Sequence, residues 1–143
     1  MNIGSTFAIS ASGLHAQRLR MDLIAANLAN ANSTEGPNGG PYKRQDVVLQ
    51  AVRPDSFDSF LTGEPSGTSV RVRGVVEDQS DPRQVYDPGH PHADESGHVA
   101  MPNVNVMSEM VDLMAATRAY EANITALDAT RRVLQAALEI GQG

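Results

Sequence analysis

The chain has no cysteine and no tryptophan. Without cysteine there is no disulfide, no thiol nucleophile and no thiolate metal site. The same absence lets a chain enter an oxidising compartment without mispairing. Aromatic residues make up only 4%, and much of the 41% hydrophobic fraction is alanine, so large core side chains are scarce for 143 residues. That length fits one ordinary domain, but a chain so poor in bulky apolar groups is only marginally compact alone. Basic residues are few: 11 Lys and Arg against 17 Asp and Glu give a net charge of −6. This excludes the basic face that nucleic acid or an anionic membrane surface requires. No stretch approaches the roughly 20 apolar residues of a membrane span. The start, "MNIGSTFAISASGLHAQ", lacks a basic leader and a continuous apolar run. It does not read as a secretory signal, and cytosolic residence is the default expectation.

What is present is heptad periodicity at both ends. From about Ser5 to Ala31 the pattern predicts a helix, with Phe7, Leu14, Met21 and Leu28 in one seam and Ile3, Ser10, Gln17, Ile24 and Ala31 in a second, partly polar one. A spacing of 3.5 residues is that of coiled-coil packing. Gly13 costs such a helix about 1 kcal/mol relative to alanine. From Asn105 to Ile140 a longer heptad places Val106, Leu113, Tyr120, Leu127 and Leu134 in one seam and Met110, Thr117, Ile124, Arg131 and Leu138 in the other. Asn105 suits an N-cap, and Gly141 suits a stop. Roughly 35 residues at ~1.5 Å each make a rod of about 53 Å, longer than one small domain needs.

Between the helices, "NANSTEGPNGGP" is a dense run of turn residues, and Tyr42 to Val52 reads as a strand. Arg53 to Thr68 reads as a mobile loop. "SVRVRGVVED" alternates, with Val70, Val72 and Val76 on one face, Arg71 and Arg73 on the other, and Gly74 as a bulge position. Asp81 to Pro102 reads as a chain of turns. The expected organisation is thus mainly α with a small β-rich insert: residues 1–35, an insert over 36–102, and a long helical segment over 103–143. The two terminal helices are expected to form a coiled-coil-like core, extended in an assembled state.

Chemistry for catalysis is sparse. "YDPGHPHADESGHV" offers His90, His92 and His98 beside Asp87, Asp94 and Glu95, residue types that suit zinc or manganese. Ligands need a rigid frame, and a Pro/Gly loop supplies none, so a solvated loop is the preferred reading. No nucleophile elbow and no phosphate-binding glycine loop occurs. No catalytic residue, metal or cofactor is therefore expected. Met107, Met110 and Met114 widen the apolar arc and suit either a helix core or an adaptable docking face. Asn27 and Asn30 are poor helix formers near a helix end. Composition alone favours a helix-ending role for them.

"SASGLHAQRLRMDLIAANLANANS" resembles the N-terminal signature of flagellar axial proteins of the rod and hook class, whose helix ends in the run seen here as Asn27-Leu28-Ala29-Asn30. "GGPYKRQ", "VYDPGHPHAD", "HVAMPNVNV" and "EMVDLMAATRAYEANITALDATR" are similar to the proximal-rod members of that class, from about Ile9 to Gly141. His92 and His98 depart from its pattern. The resemblance implies a non-enzymatic subunit of the bacterial basal-body rod, in the periplasmic space. It implies export without a cleaved signal through the flagellar type III apparatus, then polymerisation. The implied partners are other copies, neighbouring rod and basal-body proteins and the export apparatus, with no nucleic acid and no membrane insertion. It also moves Asn27 and Asn30 towards a role in fixing register against a neighbouring subunit. The expected assembly interface comprises Leu14, Met21, Asn27, Leu28 and Asn30 on the first helix. On the second it comprises Met110, Leu113, Tyr120, Ile124, Leu127, Leu134 and Leu138. Two rival readings are a metal-dependent enzyme using the histidine loop and a soluble coiled-coil adaptor.

Overall fold

A computed structural model describes residues 3–36, 39–52 and 68–141. Helix α1 spans Ile3–Ala29 and helix α2 spans Val106–Gly141. Between them lie strands β1 (Gln45–Val52), β2 (Ser69–Glu77), β3 (Arg83–Tyr86) and β4 (His98–Met101). β1 pairs with β2, and β3 pairs antiparallel with β4, placing Arg83 opposite Met101 and Tyr86 opposite His98. The mainly helical architecture with a small β insert agrees with the sequence. Asp81 to Pro102 needs correction: it holds the β3–β4 hairpin rather than turns alone. Strands of four residues are too short to show a period, and their prolines lie outside the paired positions. The expected mobile loop from Arg53 falls, over residues 53–67, outside the described residues.

α2 begins as its sequence suggests. The Asn105 side-chain carbonyl accepts the amides of Met107 and Ser108 at 3.1 and 3.2 Å, satisfying two donors of the first turn. α1 ends on Asn30, whose side-chain amide donates to the Ala26 carbonyl at 2.9 Å while Ser33 Oγ donates to its oxygen at 3.1 Å. Asn30 thus supplies the helix-ending function that composition favours.

The chain folds as two compact units. The first comprises Met1–Leu19, Leu49–Arg73 and Ala116–Gly143. Its described core is built from small residues: Ser10, Ala16 and Ala116 are buried. Gly13 faces Asn123 so closely that an added Cβ would lie 3.2 Å from both amide atoms of that side chain. Ser12 Oγ accepts the Val70 amide at 3.1 Å, joining α1 to β2. Small side chains on facing helix surfaces permit such approach and contribute little apolar burial of their own.

The second unit comprises Arg20–Val48 and Gly74–Ala115. Ile24, Ala31, Val99 and Val104 form its apolar core. Within it α1 and α2 run antiparallel: Arg20 reaches Asp112, and Asn27, further along α1, reaches the earlier Glu109.

Along α2 the two seams are covered unequally. Of the first, Leu113, Tyr120, Leu127 and Leu134 are half-buried and Val106 is exposed, and beside them Glu109 and Ala116 are buried, with Asn123 and Thr130 half-buried in the same seven-residue register. The other expected seam is solvent-facing: Met110 is 49%, Ile124 39% and Leu138 63% exposed. The small and polar seam allows closer approach, so it takes the inward position despite its lower hydrophobicity. On β2, Val70 and Val72 are half-buried and Arg71 and Arg73 exposed, whereas Val76 is exposed rather than sharing the valine face.

Candidate functional site

The largest fully buried side chains include two polar ones, Asn27 and Glu109. α1 positions Asn27 two turns after Arg20, on the face towards the returning chain. After Asn30 the backbone turns through a short loop, closed by the Tyr42 amide donating to the Ser33 carbonyl at 3.0 Å. That return brings Tyr42, Arg44 and Gln45 against Asn27. The Asn27 carbonyl oxygen accepts from Tyr42 Oη and from the Gln45 amide, both at 2.9 Å. Its Nδ2 donates to the Gln45 carbonyl at 2.9 Å and to Glu109 Oε2 at 3.0 Å. A primary amide has two donor hydrogens and two acceptor lone pairs, and all four are used. The side chain pairs with Gln45 as a neighbouring strand would, extending β1 on to the helix.

Glu109 receives Asn27 on one oxygen and Arg44 Nε on the other at 2.6 Å. The guanidinium also lies 3.4 Å from Asp46. The hydrogen bond to Glu109 holds the Arg44 guanidinium above its usual pKa, against the opposing effect of burial. Burial raises the Tyr42 phenol, and the Glu109 and Glu77 charges add to it. The phenol therefore stays a donor. Asn103 completes the cluster from the segment before α2. Its carbonyl accepts the Arg44 amide at 2.9 Å, and its amide donates to Ser80 Oγ at 2.9 Å and the Asp78 carbonyl at 3.2 Å. The cluster joins α1, β1, the segment after β2 and the first turn of α2. The Asn27 amide within it is saturated, and the cluster serves as a frame that ties these elements together.

Within the chain all four hydrogen-bonding positions of the Asn27 amide are occupied. Leu14, Met21 and Leu28 are half-buried along α1. Glu109, Arg44 and Asn103 were missed by sequence reasoning. The available signal was the register: Glu109 stands seven residues before Ala116, in a seam that excludes solvent.

The histidine loop is organised by its own hydrogen bonds. The Asp94 carboxylate accepts from Ser96 Oγ at 2.7 Å, the Ser96 amide at 2.8 Å and the His98 amide at 2.9 Å. These bonds, led by the His98 amide, hold its pKa below the ordinary carboxylate value. His90 Nδ1 accepts the His92 amide, and His92 Nδ1 shares a hydrogen bond with Thr34 Oγ1 at 3.0 Å. Gly97 sits at φ 78°, and a Cβ there would lie 2.9 Å from the Tyr86 ring. Among the described residues no group of three or more His, Asp or Glu is placed to hold a metal.

The opposite face of α2 is chemically different. Val106, Met107, Met110, Val111 and Met114 are 48–72% exposed in the second unit. In the first unit Ile124, Val133, Leu138 and Ile140 are 39–82% exposed. Apolar surface of this kind, outside a saturated polar frame, marks a protein built for assembly.

Comparison with known proteins defines that class. Residues 7–37 match the family described as flagella basal body rod protein, and residues 95–140 match the C-terminal family of flagellar basal body rod FlgEFG proteins. The flagellar basal-body rod protein FlgC of Bacillus subtilis is 47% identical over 94% of this chain and 95% of its own length. The FlgC proteins of Salmonella typhimurium and Borreliella burgdorferi are 42% and 39% identical, covering 99% and 100% of this chain and 100% of theirs. The chain belongs to the FlgC family of flagellar basal-body rod proteins.

Proposed function

We propose that this chain is a non-enzymatic structural subunit of the flagellar basal-body rod, polymerising with copies of itself and with neighbouring rod proteins into the proximal rod. Export by the flagellar type III apparatus precedes assembly. The observation that carries the reading is the one-sided burial of α2. Only a narrow stripe of the helix is covered, and large apolar side chains stand in solvent on the remainder. A subunit that repeats head to tail without closing buries such a stripe against the next copy.

The two terminal segments, 1–35 and 103–143, form the axial core in this reading, with residues 36–102 as the insert. They pack as a coiled coil that extends on assembly. Met110, Ile124 and Leu138 meet the neighbours. Leu14, Met21, Leu28, Leu113, Tyr120, Leu127 and Leu134 complete their burial there, while Asn27 holds the frame and Asn30 the end of α1 beside the contact.

Each exposed apolar side chain buried on assembly contributes about 1.5–3 kcal/mol. Ile124→Asp and Leu138→Asp remove that contribution and force a carboxylate into the contact. In cells lacking the native copy, both variants should give soluble folded chains, incomplete rods and lost motility, and Asp128→Ala should be nearly silent. Complete rods from both aspartate variants would refute an assembly role for this face.

A further inference from the structure

On α2, Met107, Met110 and Met114 fall on one face, because positions three and seven apart superpose at 3.6 residues per turn. They are 72%, 49% and 55% exposed. Their face lies away from Glu109, which is 1% exposed, so the second unit leaves it largely uncovered. Met21 and Met101 are half-buried. With no cysteine in the chain, thioethers are its only sulfur groups. Among the described residues the most accessible thioethers are therefore concentrated on one exposed apolar patch.

We propose that Met107, Met110 and Met114 form an oxidation-sensitive modification site, at which conversion to sulfoxides by hydrogen peroxide makes the chain unable to assemble. The thioether lone pair attacks one peroxide oxygen and the O–O bond breaks. Sulfur gains that oxygen and is oxidised by two electrons, while the second oxygen leaves as water. The product replaces a flexible apolar side chain with a polar one bearing a strong acceptor. Burying that group against an apolar neighbour leaves the acceptor unpaired. The effect on assembly rests on the rod-subunit reading above. The exposure of the methionines does not.

The test has two arms. Purified chain is treated with limiting hydrogen peroxide and each sulfoxide is quantified by mass spectrometry. Met107, Met110 and Met114 should oxidise at least about threefold faster than Met21 and Met101, following exposure. Equal rates would overturn the site. In cells lacking the native copy, two triple variants are compared, with Met107, Met110 and Met114 changed to Leu or to Gln. Both residues match Met in helix propensity, so circular dichroism should show unchanged folding. The Leu variant should keep motility and the Gln variant, a polar mimic of the sulfoxide, should lose it. Motility with Gln would show that polarity at this face does not block assembly, and lost motility with Leu would show that the thioether itself is needed. Either result overturns the switch. A failure of the rod-subunit reading appears separately, as complete rods from Ile124→Asp and Leu138→Asp.

Discussion

Asn27 is a side chain used as backbone. Its amide presents the same donor and acceptor pair that a strand neighbour would offer Gln45, and its remaining valences go to Tyr42 and Glu109. The sequence marked Asn27 as unusual for a helix, but not its partners. Glu109 lies 82 positions away and Arg44 is 65 from Glu109, separations that no local pattern encodes. Glu109→Ala leaves the Arg44 Nε hydrogen and an Asn27 amide hydrogen without their acceptor, with Asp46 still 3.4 Å from the guanidinium. Breaking one partner of a fully buried pair costs about 3–5 kcal/mol, and the partly exposed Arg44 places this loss at or below the lower end. Urea unfolding should show a loss of that order for the single variant. The double change Arg44→Met with Glu109→Met should cost less than the sum of its parts, because neither charge is left alone. Additive losses would mean the pair is uncoupled.

At the level of elements, the helices were readable because each carries a long repeat and Asn105 is a recognisable start. Which seam turns inward was not readable. Hydrophobicity favoured Met110, Ile124 and Leu138, and steric fit chose Glu109, Ala116, Asn123 and Thr130. The β3–β4 hairpin was hidden for a different reason. Its order comes from Asp94 and Gly97 in the connecting turn rather than from strand pattern. Asp94 is fully exposed, yet hydrogen bonds from His98 and Ser96 depress its pKa from the ordinary 3.8. A depressed carboxylate stabilises the folded turn above its unfolded pKa and loses that contribution as pH falls through the folded value. Acid titration followed by NMR should therefore show the His98 and Ser96 amides moving with a midpoint below 3.8 while the Val99 core resonances hold. A midpoint at or above that value would contradict the hydrogen-bonded turn.

For the whole molecule, amide exchange should follow the burial along the chain. Amides around Asn27, Val99 and Glu109 should exchange slowest, since buried saturated hydrogen bonds surround them. Amides from Ala129 to Ile140, where nearly every side chain is exposed, should exchange close to the free-peptide rate. Hydrogen exchange of the isolated chain checks both. Uniform protection along α2 would show that it is stabilised without partners. The acidic balance of −6 keeps such a chain soluble before its apolar face is covered.

A core of Ser10, Ala16 and Ala116 in the first unit, and of Asn27 and Glu109 beside Ile24, Ala31, Val99 and Val104 in the second, has a calorimetric consequence. The heat-capacity increment of unfolding grows with apolar surface exposed and falls with polar surface exposed, reaching about 12–15 cal/mol/K per residue in ordinary domains. Among the described residues the buried groups include only three branched aliphatic side chains, Ile24, Val99 and Val104, beside small and polar ones, so the increment should fall below that range. Its stability curve is then broad and shallow, and the work of unfolding one copy varies little between cold and warm growth. On the proposed route of export followed by assembly, that flatness would make the unfolding step insensitive to temperature. Differential scanning calorimetry should return the low increment, and a value at or above the ordinary range would reveal an apolar core larger than the one described.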